Sequence, residues 1–199
     1  MTNFVEQLEE KIAEAIGVAY CVVVPVGKGD LLALRVLGDA ALGERSLCAG
    51  EEILVSERDA KRLAGMWQKT GVLPCVYAEN TGASLEGALS PASKAVVLTH
   101  EDGVAQKLET VRNFCNAYDL WMLERMERAW GLVCEFDGVR YGAGVVGDIG
   151  VGTLCDERGE PLCDYLCTKD GLPYELMCAL REEAPAQEMI ARALAFFDK

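Results

Sequence analysis

The sequence predicts a three-layer α/β/α sandwich built on a mostly parallel sheet. Two observations carry that prediction. Short apolar runs of strand length alternate with amphipathic runs of helix length nearly end to end, the pattern of a parallel sheet covered by helices on both faces. No Pro/Gly/Ser-rich linker and no internal repeat divides the 199 residues, and 51% of them are hydrophobic, enough for one sizeable core. A single domain over residues 1–199 is therefore expected.

The elements follow in order. Residues 3–16 read as a helix, with Asn3 as N-cap, Glu6 three residues on and Gly17 as the stop. Phe4, Leu8, Ile12 and Ile16 recur every four residues and form one apolar stripe. VAYCVVVPV reads as a buried strand, and Gly27-Lys28-Gly29-Asp30 as a glycine turn that opens the helix DLLALRVLG. Residues 52–56 are a short strand. Residues 57–70 are a helix ended by Gly71, whose first residues, ERDAKR, should lie in solvent. LPCVYA and KAVVLTH are strands. QKLETVRNFCNAYD is a helix and LWMLERM the next strand, with Trp121, Met122 and Met126 in the core. Residues 132–143 form a hairpin around Asp137-Gly138. DIGVGTLC and CDYLCTK are strands, and a last amphipathic helix starts near Pro185.

Composition narrows the function. A net charge of -13 repels nucleic acid and anionic membrane surfaces. No run of about 18 apolar residues predicts a membrane span. The acidic, amphipathic N-terminus lacks the basic segment and apolar core of a secretory signal, so the cytoplasm is expected. The nine cysteines sit mostly inside apolar strands or helices, as reduced core thiols do. His100 is the single histidine, so any histidine-dependent site must use it. A strand-end histidine bonded to backbone is the plainer reading. His100-Glu101-Asp102 are adjacent in a turn and converge poorly on one ion.

Alone, the Gly27–Asp30 turn is ambiguous. Its amides and the helix N-terminus suit a phosphate, but a tight turn needs the same glycines, and Asp30 adds negative charge. The order of segments says more. FVEQLEEKIAEAIGVAYCVVV, then LLALRVLGDAALGERSLCAGEEILV, then KAVVLTHEDG with His100 and Gly103, then LETVRNFCNAYDLWMLER, then Gly147-Asp148-Ile149-Gly150, then YLCTKDGLPYELMCALR resemble, collinearly, the nucleotide-sugar aminotransferases and 3-dehydrases. These DegT/DnrJ/StrS-like proteins have the type I pyridoxal-phosphate transferase fold. The resemblance covers residues 4 to about 181 and implies the large domain of that fold, without its C-terminal small domain.

The resemblance also implies what the site residues should be. The aspartate that meets the cofactor ring nitrogen stands directly after a glutamate, and here Glu124 is followed by Arg125. A guanidinium repels a pyridinium. Glu124 is a poor substitute, since neighbouring side chains on a strand face opposite ways. The Schiff-base lysine, a histidine in the dehydrase branch, falls at or near Arg158, which can be neither imine-former nor base. The stacking aromatic falls among Glu57 to Asp59, where only charge is found. Gly27, Lys28, Gly29, His100, Asp148 and Thr153 are what the resemblance leaves for cofactor contact. The phosphate turn, VGKGD here, is one residue shorter than the family's and carries Asp30, and these four departures together predict a non-catalytic relative with no cofactor. An active pyridoxal- or pyridoxamine-phosphate enzyme is the alternative. The expected partners are a second copy of the chain, a full-length relative, or a nucleotide-sugar or phosphate ligand. A third reading, metal or iron–sulfur binding through Cys155, Cys163, Cys167 and Cys178, has looser spacing than such sites favour.

Overall fold

In the computed structural model, residues 3–197 are described. The chain runs α1 (Phe4–Ile16), β1 (Tyr20–Val24), α2 (Gly29–Leu37), a 3₁₀ segment (Ala40–Arg45), β2 (Glu52–Ser56), α3 (Glu57–Arg62), α4 (Ala64–Thr70), β3 (Leu73–Tyr77), α5 (Gly82–Ala88), β4 (Ser93–His100), α6 (Leu108–Tyr118) and β5 (Trp121–Met126). It continues through β6 (Val133–Phe136), β7 (Val139–Gly142), β8 (Ile149–Cys155), β9 (Pro161–Thr168), α7 (Gly171–Leu180) and α8 (Gln187–Phe197).

Seven strands form one sheet in the order β1-β9-β8-β5-β4-β2-β3. Every pairing is parallel except those of β9, which runs against both β1 and β8. The hairpin β6–β7 stands apart as a two-stranded ribbon, with Asp137 and Gly138 at positive φ in its turn. Central strands buried on both faces read as continuous apolar runs, and β5 is buried at all six positions. One core lies between the sheet and α1, α5, α6 and α8, through Leu8, Ile12, Leu85, Val111 and Ile190. The other lies between the sheet and α2, α4 and α7, through Leu34, Trp67 and Met177. These are the predicted three layers. Among the described residues, no helix is long and apolar enough to cross a membrane.

Local physics placed most boundaries where the sequence put them. Asn3 caps α1 through the Val5 amide, and Gly17 closes it in the left-handed region at φ 87°. Three expectations need correction. Phe4 is 64% exposed, so the buried stripe of α1 rests on Leu8 and Ile12. The helix over 57–70 is two helices, because Leu63 leaves helical geometry at φ −94°, ψ 12°. Within ERDAKR, Asp59 is buried, at 1% exposure.

The outer edge of β1 carries a further device. The Val23 amide points away from β9 and donates to Glu9 Oε1 of α1 at 2.9 Å. Arg181, just past α7, bonds the same oxygen at 2.5 Å and reaches the Val23 carbonyl at 3.4 Å. Burial raises the Glu9 pKa, while the Val23 amide and Arg181 pull it back.

Candidate functional site

The carboxyl ends of the parallel strands are where sheets of this kind build sites. Here that region holds the turn after β1, the start of α2 and the ends of β5 and β8, around a cavity of about 330 Å³. Its lining includes Asp30, Arg125, Glu127, Thr153 and Asp164.

The turn does form a cradle. Gly27 sits at φ 82°, a region glycine enters freely, and Gly29 begins α2. The Gly27 amide donates to Asp164 Oδ2 at 2.7 Å and the Gly29 amide to the same oxygen at 3.0 Å. The Thr153 hydroxyl donates to Asp164 Oδ1 at 2.7 Å. Thr153 on β8 and Asp164 on β9 are cross-strand partners, which fixes the carboxylate beside the hydroxyl. A Cβ at Gly29 would lie 3.1 Å from the Cβ of Asp164 and from Val151 Cγ1, so any side chain here would crowd the carboxylate. Burial raises the Asp164 pKa against the lowering effect of these three donors, and Asp30 adds to the rise.

Next to the cradle lies an ion cluster. Arg125 Nε and Nη2 donate to the two carboxylate oxygens of Asp30 at 2.5 and 2.7 Å, a bidentate pair. Its Nη1 reaches Asp59 Oδ1 at 3.4 Å. The other oxygen of Asp59 accepts from Ser56 Oγ at 2.9 Å and Thr99 Oγ1 at 2.8 Å. Burial lowers the Arg125 pKa, but Asp30 and Asp59 outweigh it and hold the guanidinium charged.

On the opposite face of β5, Glu124 is fully buried. Its carboxylate accepts from the Gly144 amide at 2.7 Å and the Gly147 amide at 2.8 Å. His100 Nε2 lies 2.9 Å from Glu124 Oε1, and the Gln106 amide donates to His100 Nδ1 at 3.0 Å. Burial pulls the His100 pKa down, but Cys134 and Glu124 pull it up further, to about 9. The Gln106 amide, which needs a lone pair on Nδ1, opposes that second proton. His100, Glu124 and Cys134 have ligand atoms within 4.8 Å of one another, the only such group of three among the described residues. The geometry does not favour a metal. In either protonation state Nε2 carries a proton for Glu124, and Cys134 Sγ lies 3.8 and 4.0 Å from the two ring nitrogens rather than along one lone pair. The three are a satisfied buried network.

The structure thus brings Gly27, Gly29 and Thr153 together, and it brings them onto Asp164. Lys28 turns away toward Glu183, 3.9 Å off at the surface. Asp148 accepts from the Met122 amide and pairs with Arg112, tying β5 to α6 and to the loop before β8. His100 lies beneath the sheet with Glu124. Arg158 is exposed in the β8–β9 turn, where its amide donates to Asp156 at 2.9 Å. Cys163 and Cys167 are buried on β9, whereas Cys178 is exposed on α7, so the four C-terminal cysteines form no common site. Sequence reasoning missed Asp164 and Asp59. The available signal was an acidic residue inside an apolar strand, CDYLC, and one in a charge run directly after a strand.

Residues 1–152 match the DegT/DnrJ/EryC1/StrS aminotransferase family. The lipopolysaccharide biosynthesis protein RfbH of Salmonella typhimurium is 32% identical over 155 residues, which is 74% of this chain and 35% of RfbH. Helicobacter pylori PseC, an aminotransferase involved in the biosynthesis of pseudoaminic acid, superposes with a TM-score of 0.79 at 19% identity. That superposition covers 100% of this chain and 58% of PseC. The aminotransferase TlmJ from Streptoalloteichus hindustanus gives 0.76 at 19% identity, over 99% of this chain and 58% of TlmJ. The chain spans about a third of the curated relative and little more than half of these solved chains.

Proposed function

Because this chain belongs to the DegT/DnrJ/EryC1/StrS aminotransferase family, we propose that it is a non-catalytic relative of the sugar aminotransferases and dehydrases, with a binding, scaffolding or regulatory role. One observation carries the reading. Arg125, at the position the resemblance assigns to the ring-nitrogen carboxylate, is held by Asp30 through two bonds and faces Asp59. A cation fixed there cannot keep a pyridine nitrogen protonated. The glycine cradle beside it already holds a carboxylate. These residues do not fit pyridoxal phosphate, and no reaction step is assigned to it. The role is placed in the cytoplasm, and its partner is a second copy of this chain or a longer relative of the same fold.

Equilibrium dialysis against pyridoxal phosphate and pyridoxamine phosphate, with and without borohydride, tests the proposal. No saturable binding at millimolar cofactor is expected. Saturable binding, or a reduced adduct on any lysine, would restore the enzyme reading.

A further inference from the structure

We propose that Asp164 is a built-in anion, a carboxylate of the chain's own that takes the place of a phosphate in the cradle at the start of α2. The inference rests on the closed-site reading above and adds what closes it. Three donors from two distant parts of the chain converge on one carboxylate, which is 6% exposed. One of them is the Gly29 amide at the first turn of a nine-residue helix, the place where backbone N–H groups are unpaired and the helix field favours negative charge, and a second is the Gly27 amide in the turn that leads into it. Both amides would otherwise need an acceptor from outside the helix.

The chain meets that need at an electrostatic disadvantage. Asp164 is a buried acid near a second acid, Asp30, in a protein of net charge -13. An isolated carboxylate would not be retained there. It is retained because two amides donate to Oδ2 and a hydroxyl to Oδ1, and because Arg125 neutralises Asp30. Asp164 is also rigidly delivered: its strand pairs on both sides, with β1 at Val24 and with β8 at Thr153. An anion from solution must therefore displace a side chain that already holds all three donors. Phosphate monoesters are excluded in general, not one cofactor in particular.

The test uses the full chain, its Asp164→Ser variant, and inorganic phosphate as the probe. Serine keeps a small polar side chain but frees the space and the two amides. The wild type is expected to show no saturable phosphate binding at millimolar concentration. D164S is expected to bind at least about tenfold more tightly, with the Gly27 and Gly29 amide resonances moving most. A folded D164S that binds no better than wild type overturns the inference. So does a wild type that binds phosphate at this turn. Should D164S fail to fold, the wild type still decides the matter: the Gly27 and Gly29 amide protons and the Asp164 carboxyl must titrate with one shared midpoint. Separate midpoints overturn the inference. Uptake of pyridoxal phosphate by the wild type sinks the closed-site reading and this inference with it. Failure of D164S to gain phosphate, with the wild type taking up neither ligand, sinks this inference alone.

Discussion

Replacing Arg125 with methionine removes the guanidinium while keeping an unbranched stem. Two carboxylates then lose their cation: Asp30, held at 2.5 and 2.7 Å, and Asp59, at 3.4 Å and 1% exposure. Opposite charges about 4 Å apart attract by about 4 kcal/mol at an effective dielectric near 20. Desolvation offsets part of this in the intact pair, but it is not recovered when one partner is deleted. Breaking a buried pair from one side costs about 3–5 kcal/mol, a large share of the roughly 5–15 kcal/mol that holds a domain. Urea unfolding followed by circular dichroism measures it. With a slope of about 2 kcal/mol per molar, the midpoint falls by about 2 M. Asp30→Asn alone leaves Arg125 with Asp59 and costs less, about 2 kcal/mol. The double variant Arg125→Met/Asp30→Asn therefore recovers stability relative to the sum of the singles, with a coupling of about 2 kcal/mol. A midpoint shift below about 0.5 M for R125M, or strictly additive singles, would refute the view that this cluster closes the site as a unit.

Two further outcomes follow from the buried acids. Glu124→Gln keeps one acceptor oxygen but turns an amide N–H₂ either toward the Gly147 amide or toward the Gly144 amide and His100. The expected loss is about 2–3 kcal/mol, read as a lower urea midpoint. The His100 pKa is raised from 6.5 to about 9, so its contribution is complete below 6.5 and lost as pH rises through 9. The gap between wild type and E124Q should accordingly narrow across that range. An unchanged gap means the Gln106 amide holds the imidazole neutral. For Asp164 the folded pKa is raised, so ionisation weakens the fold, and the contribution present below the ordinary value of 3.8 is lost as pH rises through the folded pKa. Wild type should therefore gain stability relative to Asp164→Asn as pH falls toward 4. A relative loss would mean the three donors outweigh burial.

The fold was legible because its signals are local. The apolar run at Val22–Val24, the Asp137-Gly138 turn and Gly17 each act over a few residues, and each appears where spacing put it. α5 was not legible: its seven residues include two glycines and bury only Leu85, so no periodicity marks it. Its one clear sign, Thr81 accepting from the Ser84 amide, is an N-cap. The site was legible only by half. Gly27, Gly29 and Thr153 could be named because a turn and a strand end advertise themselves. Asp164 could not, since it meets Gly27 across 137 positions of sequence. Arg125 and Asp30 are separated by 95. Such pairings are set by sheet order, here β9 lying between β1 and β8, and the sequence carries no local trace of it.

The Glu9–Arg181 clasp on β1 has a consequence for how this protein meets other chains. A sheet with an open side is a template on which any extended segment can lay down another strand, and growth of that kind is how soluble proteins turn into fibres. On this side the template is spoiled, because the Val23 donor and acceptor are already engaged by side chains. The opposite side, β3, displays Leu73 and Val76 at 52% and 48% exposure and is interrupted by Pro74, which has no N–H to offer. Unwanted recruitment is thus blocked by a clasp at one border and by a missing donor at the other. Of the two, only the clasp can be undone by a single change of charge.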